Sequence, residues 1–326
     1  MENKEYNSDE ENLISIVLPY YNRKEFIIDQ LNSILVQTYE NWELIIVDDC
    51  STDGSEEIIQ KFIGENKNRR ITYKKNERNL GLMKNFEKGL NYTSGEYIAV
   101  CDSDDVWFPD KLEKELERLK KGNFGMVYSD LVVVDKDLKV MKQSFIKSCL
   151  SFFSNQRDDS FDELINDNHI TAPTILFMAE LKQKLIPFSQ YVMQDYWIAI
   201  VSSIFSSIGY LNKPTVFYRQ HSENMIGASQ FSASGLILGR KKISLENHLK
   251  IKKNSLLFLN DLSSVKGING EIKNKINKKI KKTKILTDYL SKLKVNKTSF
   301  LKCILDCWKL SAYREIIQII YFRLKS

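Results

Sequence analysis

The residues best placed to do chemistry are carboxylates gathered where apolar runs stop. Tyr97-Ile98-Ala99-Val100-Cys101 gives way at once to Asp102-Ser103-Asp104-Asp105, three carboxylates in four positions. Trp42 to Val47 behaves alike, ending in Asp48-Asp49 and the loop-forming run Cys50-Ser51-Thr52-Asp53-Gly54-Ser55. Clustered carboxylates repel one another unless a cation or hydrogen-bond donors hold them. A hard divalent ion bridging carboxylate and substrate phosphates is a common solution. The competing use is helix capping, which is the reading for Asp53, Ser55 and Asp110. Further along, Asp195 opens an amphipathic helix, either complementing the helix dipole or serving as a general base. Arg219 and His221 follow another apolar run. A guanidinium there suits a phosphate bidentately, and a neutral imidazole suits a metal ion.

These groups need a frame. Leu13 to Leu18 reads as a strand stopped by Pro19, and Tyr20-Tyr21-Asn22 turns the chain into a helix with Phe26, Ile27, Leu31, Ile34 and Leu35 at helical spacing. Trp42–Val47 is a second strand, with a helix running on through Ile63. Ile71–Tyr73 is a third, and Asn79-Leu80-Gly81 turns into a helix through Leu90 before the strand that starts after Gly95. This alternation predicts a mostly parallel α/β sheet covered on both faces. Ligands of such sheets bind at the carboxyl ends of the strands, where both acidic clusters fall. Neither GxGxxG nor GxxxxGK[ST] occurs, so no dinucleotide fingerprint or P-loop is signalled.

Beyond residue 125 the expected elements are one or two strands over 125–135, a strand over Thr174–Phe177 and a helix from Ala179 to Leu185. A helix opening at Met193 and reaching about Ile208 comes next, then a strand over Thr215–Tyr218. His169 stands without a spaced partner and reads as structural.

The ordered set Ile16-Val17-Leu18-Pro19-Tyr20-Tyr21-Asn22, Val47 through Ser55, Asn79-Leu80-Gly81 and Gly95-Glu96-Tyr97-Ile98 with Asp102-Ser103-Asp104-Asp105 resembles the family 2 glycosyltransferases of GT-A fold. These are inverting enzymes that use nucleotide-diphosphate sugars. The resemblance implies a Rossmann-like domain over 13–228, with a nucleotide-binding half (13–130) and an acceptor half (131–228). By it, Pro19, Tyr21, Asn22, Asp49, Asn79, Gly81, Asp102, Ser103, Asp104 and Arg219 bind the nucleotide sugar. Asp104 and His221 hold a divalent cofactor, Mn²⁺ or Mg²⁺. Asp195 matches the second acid of the family's base-supplying dipeptide, with Gln194 in place of the first acid. Cys50 stands where the family usually has glycine.

Tyr218-Arg219-Gln220-His221 with Asn224 and Gly227 resembles bacterial polysaccharide rhamnosyltransferases. That makes dTDP-rhamnose the first donor to test and UDP-hexoses the next. Within the same residue pattern, a non-catalytic scaffold of the same fold is an alternative. A nucleotidyltransferase would open with a Gly-rich loop, and residues 13–25 contain no glycine.

Charge divides the chain. Residues 229–326 hold 22 Lys/Arg and 6 Asp/Glu, a net of +16, which leaves −10 for residues 1–228 within the overall +6. Helical spacing over Leu236–Leu259, Ile272–Leu290 and Phe300–Leu324, with lysines on the other faces, predicts a basic helical extension. Such faces are ordinarily solvated. At +16 they also suit an anionic leaflet, where each basic residue contributes roughly 1 kcal/mol. Nucleic acid is not an expected partner, because the acidic half opposes it.

Residues 1–12, polar and acidic, read as a frayed start without a signal peptide. The five cysteines form no paired framework. The expected setting is therefore the cytoplasm, peripheral on the inner membrane face. The expected partners are a nucleotide-sugar donor, a lipid-linked glycan acceptor, the anionic membrane surface and a second copy in a homo-oligomer.

Overall fold

A computed structural model describes residues 12–149, 160–166, 168–221 and 245–295. The chain forms two compact units. The larger runs to Phe188 and resumes at Gln194; the smaller takes Ser189–Met193 and the chain from Arg240 onward.

The larger unit begins as the alternating pattern predicts. Strand β1 (Ile14–Tyr20), helix α1 (Ile27–Leu35), β2 (Trp42–Asp48), α2 (Ser55–Glu65), β3 (Arg70–Lys75), α3 (Leu82–Leu90) and β4 (Tyr97–Val100) follow in turn. The ladders β3–β2, β2–β1 and β1–β4 are all parallel. Every residue of β1 and β4 is buried, as expected of parallel strands covered on both faces. Helix α1 contributes Ile27, Leu31 and Ile34 to that core.

The chain then departs from simple alternation. After β5 (Val106–Trp107) and α4 (Lys111–Gly122) come β6 (Met126–Asp135), β7 (Val140–Lys142), α5 (Phe145–Cys149) and α6 (Phe161–Leu164). A 3-10 turn at Ala172–Thr174 leads into β8 (Ile175–Met178). A second such turn at Ala179–Leu181 precedes α7 (Lys182–Leu185), α8 (Gln194–Phe205) and β9 (Ile208–Gln220). Among the described residues the sheet has nine strands, in the order β3-β2-β1-β4-β8-β6-β9-β5 with β7 beside β6. Strand β8 runs antiparallel to both β4 and β6, and β9 runs parallel to β6. The first four strands are therefore parallel throughout, antiparallel pairs through β8 join the second half to them, and β6 with β9 forms a further parallel pair.

Two expected boundaries shift. The helix from 193 ends at Phe205 instead of near Ile208, because Ile208 already belongs to β9. That strand is far longer than the Thr215–Tyr218 run. It carries Pro214 at a register shift against Asp130, where an irregular ladder tolerates a missing N–H.

Strand order places the crevice. Chain order reverses between β1 and β4, the position where open α/β sheets bind ligands. Pairing of β1 with β4 stops at Val17 and Val100, while β1 and β2 stay paired to Tyr20 and Asp48. The amide of Cys101 donates to Val17 O and that of Asp49 to Tyr20 O. Pro19 thus turns its missing N–H toward the β4 side, beyond the last paired residue. The proline removes no ladder bond and lets the two strand ends part.

The smaller unit contains α9 (Leu245–Ser263) and α10 (Gly270–Val295), which matches the helical spacing of the basic region. Its remaining expected helices, over 236–244 and 300–324, lie outside the described residues. No described helix is long and apolar enough to cross a membrane.

Candidate active site

Asp48 and Asp49, at the end of β2, are both buried and both heavily employed. Asp48 accepts from the Ser51 amide (2.8 Å) and from the Tyr73 hydroxyl (2.6 Å). Asp49 accepts from the amides of Leu80 and Gly81 and from Asn76 Nδ2, each at 2.8 Å. Asn76 also donates to Asn85 Oδ1, and Asn85 donates to Val47 O, so α3 is tied back to β2. The loop over 79–81 is therefore hung from Asp49. Gly81 sits at φ 81° and ψ 157°, a region open essentially to glycine alone. Asn79 is exposed and accepts from the Gly81 amide.

The β1 end is joined to the same edge. Asn22 donates from its amide to Ser51 Oγ (3.0 Å) and accepts from the Thr52 amide through Oδ1 (2.9 Å). Asp53 accepts from the Lys24 amide and from Ser55, so it clamps two loops together, while Gly54 occupies the cap position of α2. Cys50 adopts φ +67°, the left-handed conformation that glycine favours. The backbone keeps its glycine-like path although a side chain is present. Pro19 is buried in β1, and Tyr21, just past it, is 47% exposed.

The β4 end is built differently. Asp102, half-buried, receives Gln194 Nε2 at 3.5 Å. Burial, then the charges of Asp104 and Asp195, push its carboxyl up to about 8. Ser103 is buried beside it. Asp104 Oδ2 lies 3.0 Å from His221 Nε2 and 3.6 Å from Arg23 Nε. The His221 ring stacks on Phe26 with centroids 4.7 Å apart. Asp105 is fully buried. Its Oδ1 accepts from the Arg219 amide (2.9 Å) and its Oδ2 has no partner, so burial and the two neighbouring aspartates hold its carboxyl well above the usual range.

Arg219 is engaged by groups of the protein itself. Its guanidinium donates to Lys136 O and to Asp29 Oδ2, both at 2.8 Å, and lies over the Phe26 ring. That residue ties β9 to α1 and to the turn after β6. Asp104 and His221, by contrast, converge as the sequence pattern implies.

Asp195 stands in the first turn of α8. It accepts from the amides of Tyr196 and Ala172, yet burial outweighs these bonds and pushes its carboxyl up to about 7. Its charge is felt at Asp102, 93 positions earlier, so the two acids share one site. A carboxyl ionising near neutrality is suited to general-base work.

A divalent cation fits this donor set only in part. A carboxylate and an imidazole 3.0 Å apart are suitable ligands, with Asp102 alongside. Among the described residues, however, no group of three or more His, Cys, Asp or Glu side chains is arranged to hold an ion. Substrate oxygens would have to complete the shell.

A family model described as glycosyl transferase family 2 matches residues 15–183, more than half of the chain. The chain belongs to glycosyl transferase family 2. Family membership makes it a glycosyltransferase. Its relatives include the putative teichuronic acid biosynthesis glycosyltransferase TuaG of Bacillus subtilis, 29% identical over 68% of this chain and 84% of TuaG. Another is the UDP-Glc:alpha-D-GlcNAc-diphosphoundecaprenol beta-1,3-glucosyltransferase WfgD of Escherichia coli, 35% identical over 40% of this chain; the match spans half of WfgD's length. A Rickettsia bellii glycosyltransferase of uncharacterised role is 34% identical, and the match spans 26% of that protein. Among solved structures, S. aureus TarS in complex with UDP-GlcNAc superposes with a TM-score of 0.58, covering 91% of this chain and 80% of that one at 19% identity. That likeness establishes the GT-A fold.

Several site residues escape sequence reasoning. Arg23 on Asp104, Phe26 under His221 and Asp29 on Arg219 all lie in or before α1, where they look like ordinary surface and amphipathic positions. Asn76, which fixes Asp49, carries a weak signal: a polar residue in a strand-to-helix turn of a family member.

Proposed function

We propose that the chain is an inverting glycosyltransferase that moves one sugar from a nucleotide-diphosphate donor to a hydroxyl of a growing cell-surface polysaccharide. The observation that carries this reading is the convergence of Asp195, with its carboxyl near 7, on the acidic end of β4. Asp195 takes the proton of the acceptor hydroxyl as that oxygen attacks the anomeric carbon. Asp102, with Ser103, faces the donor's ribose and diphosphate. Asp104 and His221 would hold a divalent cation, which when bound neutralises charge on the departing nucleotide diphosphate. The loops of Pro19, Tyr21 and Asn22 and of Asp49, Asn79 and Gly81 wall the nucleotide's side. Arg219 acts as a positioning residue there, fixing Asp105 through its amide.

Two donor classes are supported by different observations. The Tyr218–Gly227 pattern supports dTDP-rhamnose, although residues 222–227 lie outside the described residues. The UDP-Glc donor of WfgD and the UDP-GlcNAc bound in the TarS complex support a UDP-hexose. WfgD's lipid-diphosphate acceptor supports a lipid-linked acceptor here as well; such an acceptor, together with the Lys-rich helices, favours work against an anionic cytoplasmic membrane face. The test is donor hydrolysis and transfer with UDP-glucose, UDP-galactose, UDP-GlcNAc and dTDP-rhamnose, with Mg²⁺ or Mn²⁺ and then with EDTA. Release of one nucleotide, lost on chelation, is expected. A protein that neither binds nor turns over any member of the panel is a scaffold, and the proposal is then wrong.

A further inference from the structure

Gln194 is 2% exposed, at the first position of α8 and next to Asp195. Its Nε2 faces Asp102 Oδ1 at 3.5 Å, and its Oε1 is buried with no partner among the described residues. Three other buried carboxamides of this unit are employed at both ends. Gln37 donates to Ser33 O and Phe108 O and accepts from the Leu112 amide, and Asn76 and Asn85 are likewise filled. Gln30 also lacks partners, but at both atoms, so nothing orients its amide. Gln194 is oriented: with the nitrogen on the acidic strand end, the buried oxygen of the same amide is left without a donor.

A buried carbonyl oxygen without a donor is costly, so such atoms ordinarily find a partner in a ligand or in water. It can accept a hydrogen bond but cannot give one. Its partner is therefore an O–H or N–H group, and a diphosphate oxygen is excluded. The charge context points the same way. Asp102, Asp104, Asp105 and Asp195 already crowd this end of the sheet, and a glutamate at 194 would add another anion against Asp102. The amide keeps an acceptor in place without that repulsion.

We propose that Gln194 binds a hydroxyl of the donor sugar through Oε1 while its Nε2 holds Asp102, making it a specificity-determining residue of the donor site. The inference rests on the donor reading above. The donor's sugar is chosen over the acceptor because Nε2 is tied to Asp102, on the strand end that meets the nucleotide diphosphate.

The experiment compares, by calorimetry with Mn²⁺ and no acceptor, the affinity for a nucleotide sugar and for its free nucleotide. The probe is whichever of UDP-glucose, UDP-GlcNAc and dTDP-rhamnose the wild type binds, paired with UDP or dTDP. Gln194→Met, close in volume but without polar atoms, should lower the sugar-to-nucleotide affinity ratio about tenfold, near the discrimination expected for one lost hydrogen bond. Free-nucleotide affinity should stay within about twofold. Gln194→Glu retains an acceptor oxygen, so it should weaken both ligands but leave their ratio within about threefold. It also decides the matter if the Met variant does not fold. An unchanged ratio in Gln194→Met, or a ratio that collapses equally in Gln194→Glu, overturns the inference. A wild type that binds free nucleotide but none of the nucleotide sugars overturns the donor reading first, and this inference with it.

Discussion

The ends of β2 and β4 are alike in sequence, each an apolar strand running into adjacent or near-adjacent aspartates, and opposite in chemistry. At β2 every carboxylate has its donors: Asp48 takes a serine amide and a tyrosine hydroxyl, and Asp49 takes two amides and an asparagine. At β4 donors are scarcer: Asp102 has one amide at 3.5 Å, Asp104 faces His221 and Arg23, and one oxygen of Asp105 has no partner among the described residues. Burial, then neighbouring aspartate charges, raise the proton affinity of Asp102 and Asp105, with Asp195 adding to the effect at Asp102. A satisfied carboxylate holds a loop in place. An under-satisfied cluster at the switch point of a sheet is held ready for a ligand that brings positive charge or hydroxyls.

Substitutions can break this contrast. The largest effect is expected for Asp104→Ala, which should lower turnover by about 10²–10³ while changing stability by no more than about 1 kcal/mol, because Arg23 is partly solvated and 3.6 Å away and His221 keeps its stacking on Phe26. Steady-state kinetics alongside urea unfolding reads both. Asp49→Ala should do the reverse, destabilising the fold by about 2–4 kcal/mol as two amides and Asn76 lose their acceptor. If that variant unfolds at the wild-type urea concentration but no longer binds nucleotide, Asp49 belongs with the β4 acids and the contrast fails. Gly81→Ala should cost about 1–3 kcal/mol purely through backbone strain, since nothing within 4 Å would meet the added Cβ. A thermal melt that matches wild type would show that the loop over 79–81 can relax. The smallest effect is expected for Cys50→Gly, a gain of about 0.5–1 kcal/mol from relieving the left-handed conformation, offset by glycine's entropy in the unfolded chain. A lower melting temperature would mean that the Cys50 side chain contributes packing beyond its cost.

The contrast also marks where sequence reading reached and where it stopped. The parallel strands from β1 to β4 were legible because each is a short apolar run closed by turn residues, and their acidic ends were legible by position alone. Which acids are employed was not, since the donors to Asp49 come from residues 76 to 81 and chain spacing does not reveal a buried amide's direction. The extent of β9 was hidden because Trp197 to Tyr210 is uncharged throughout, with serine pairs at 202–203 and 206–207 inside the apolar run, so periodicity could not separate the end of α8 from the start of a strand. Arg219 shows the sharper limit. A basic residue beside His221 suits a phosphate, and nothing local reveals that it closes on Asp29, 190 residues earlier. Gln194 was legible as a departure from an acidic dipeptide. Its consequence depends on a buried oxygen that only the fold exposes to view.

The most direct test is the pH dependence of sugar transfer by wild type and Asp195→Asn, with donor affinity measured on the same preparations. A base must be ionised to act, and burial raises this carboxyl to about 7. Wild-type kcat/KM should therefore fall about tenfold per unit below that pH and level off above it. Asp195→Asn should lose at least about 100-fold in kcat, lose that acid limb, and bind donor within about twofold of wild type. An acid limb near pH 4, or an asparagine variant that turns over normally, would contradict the assignment of Asp195 as the base.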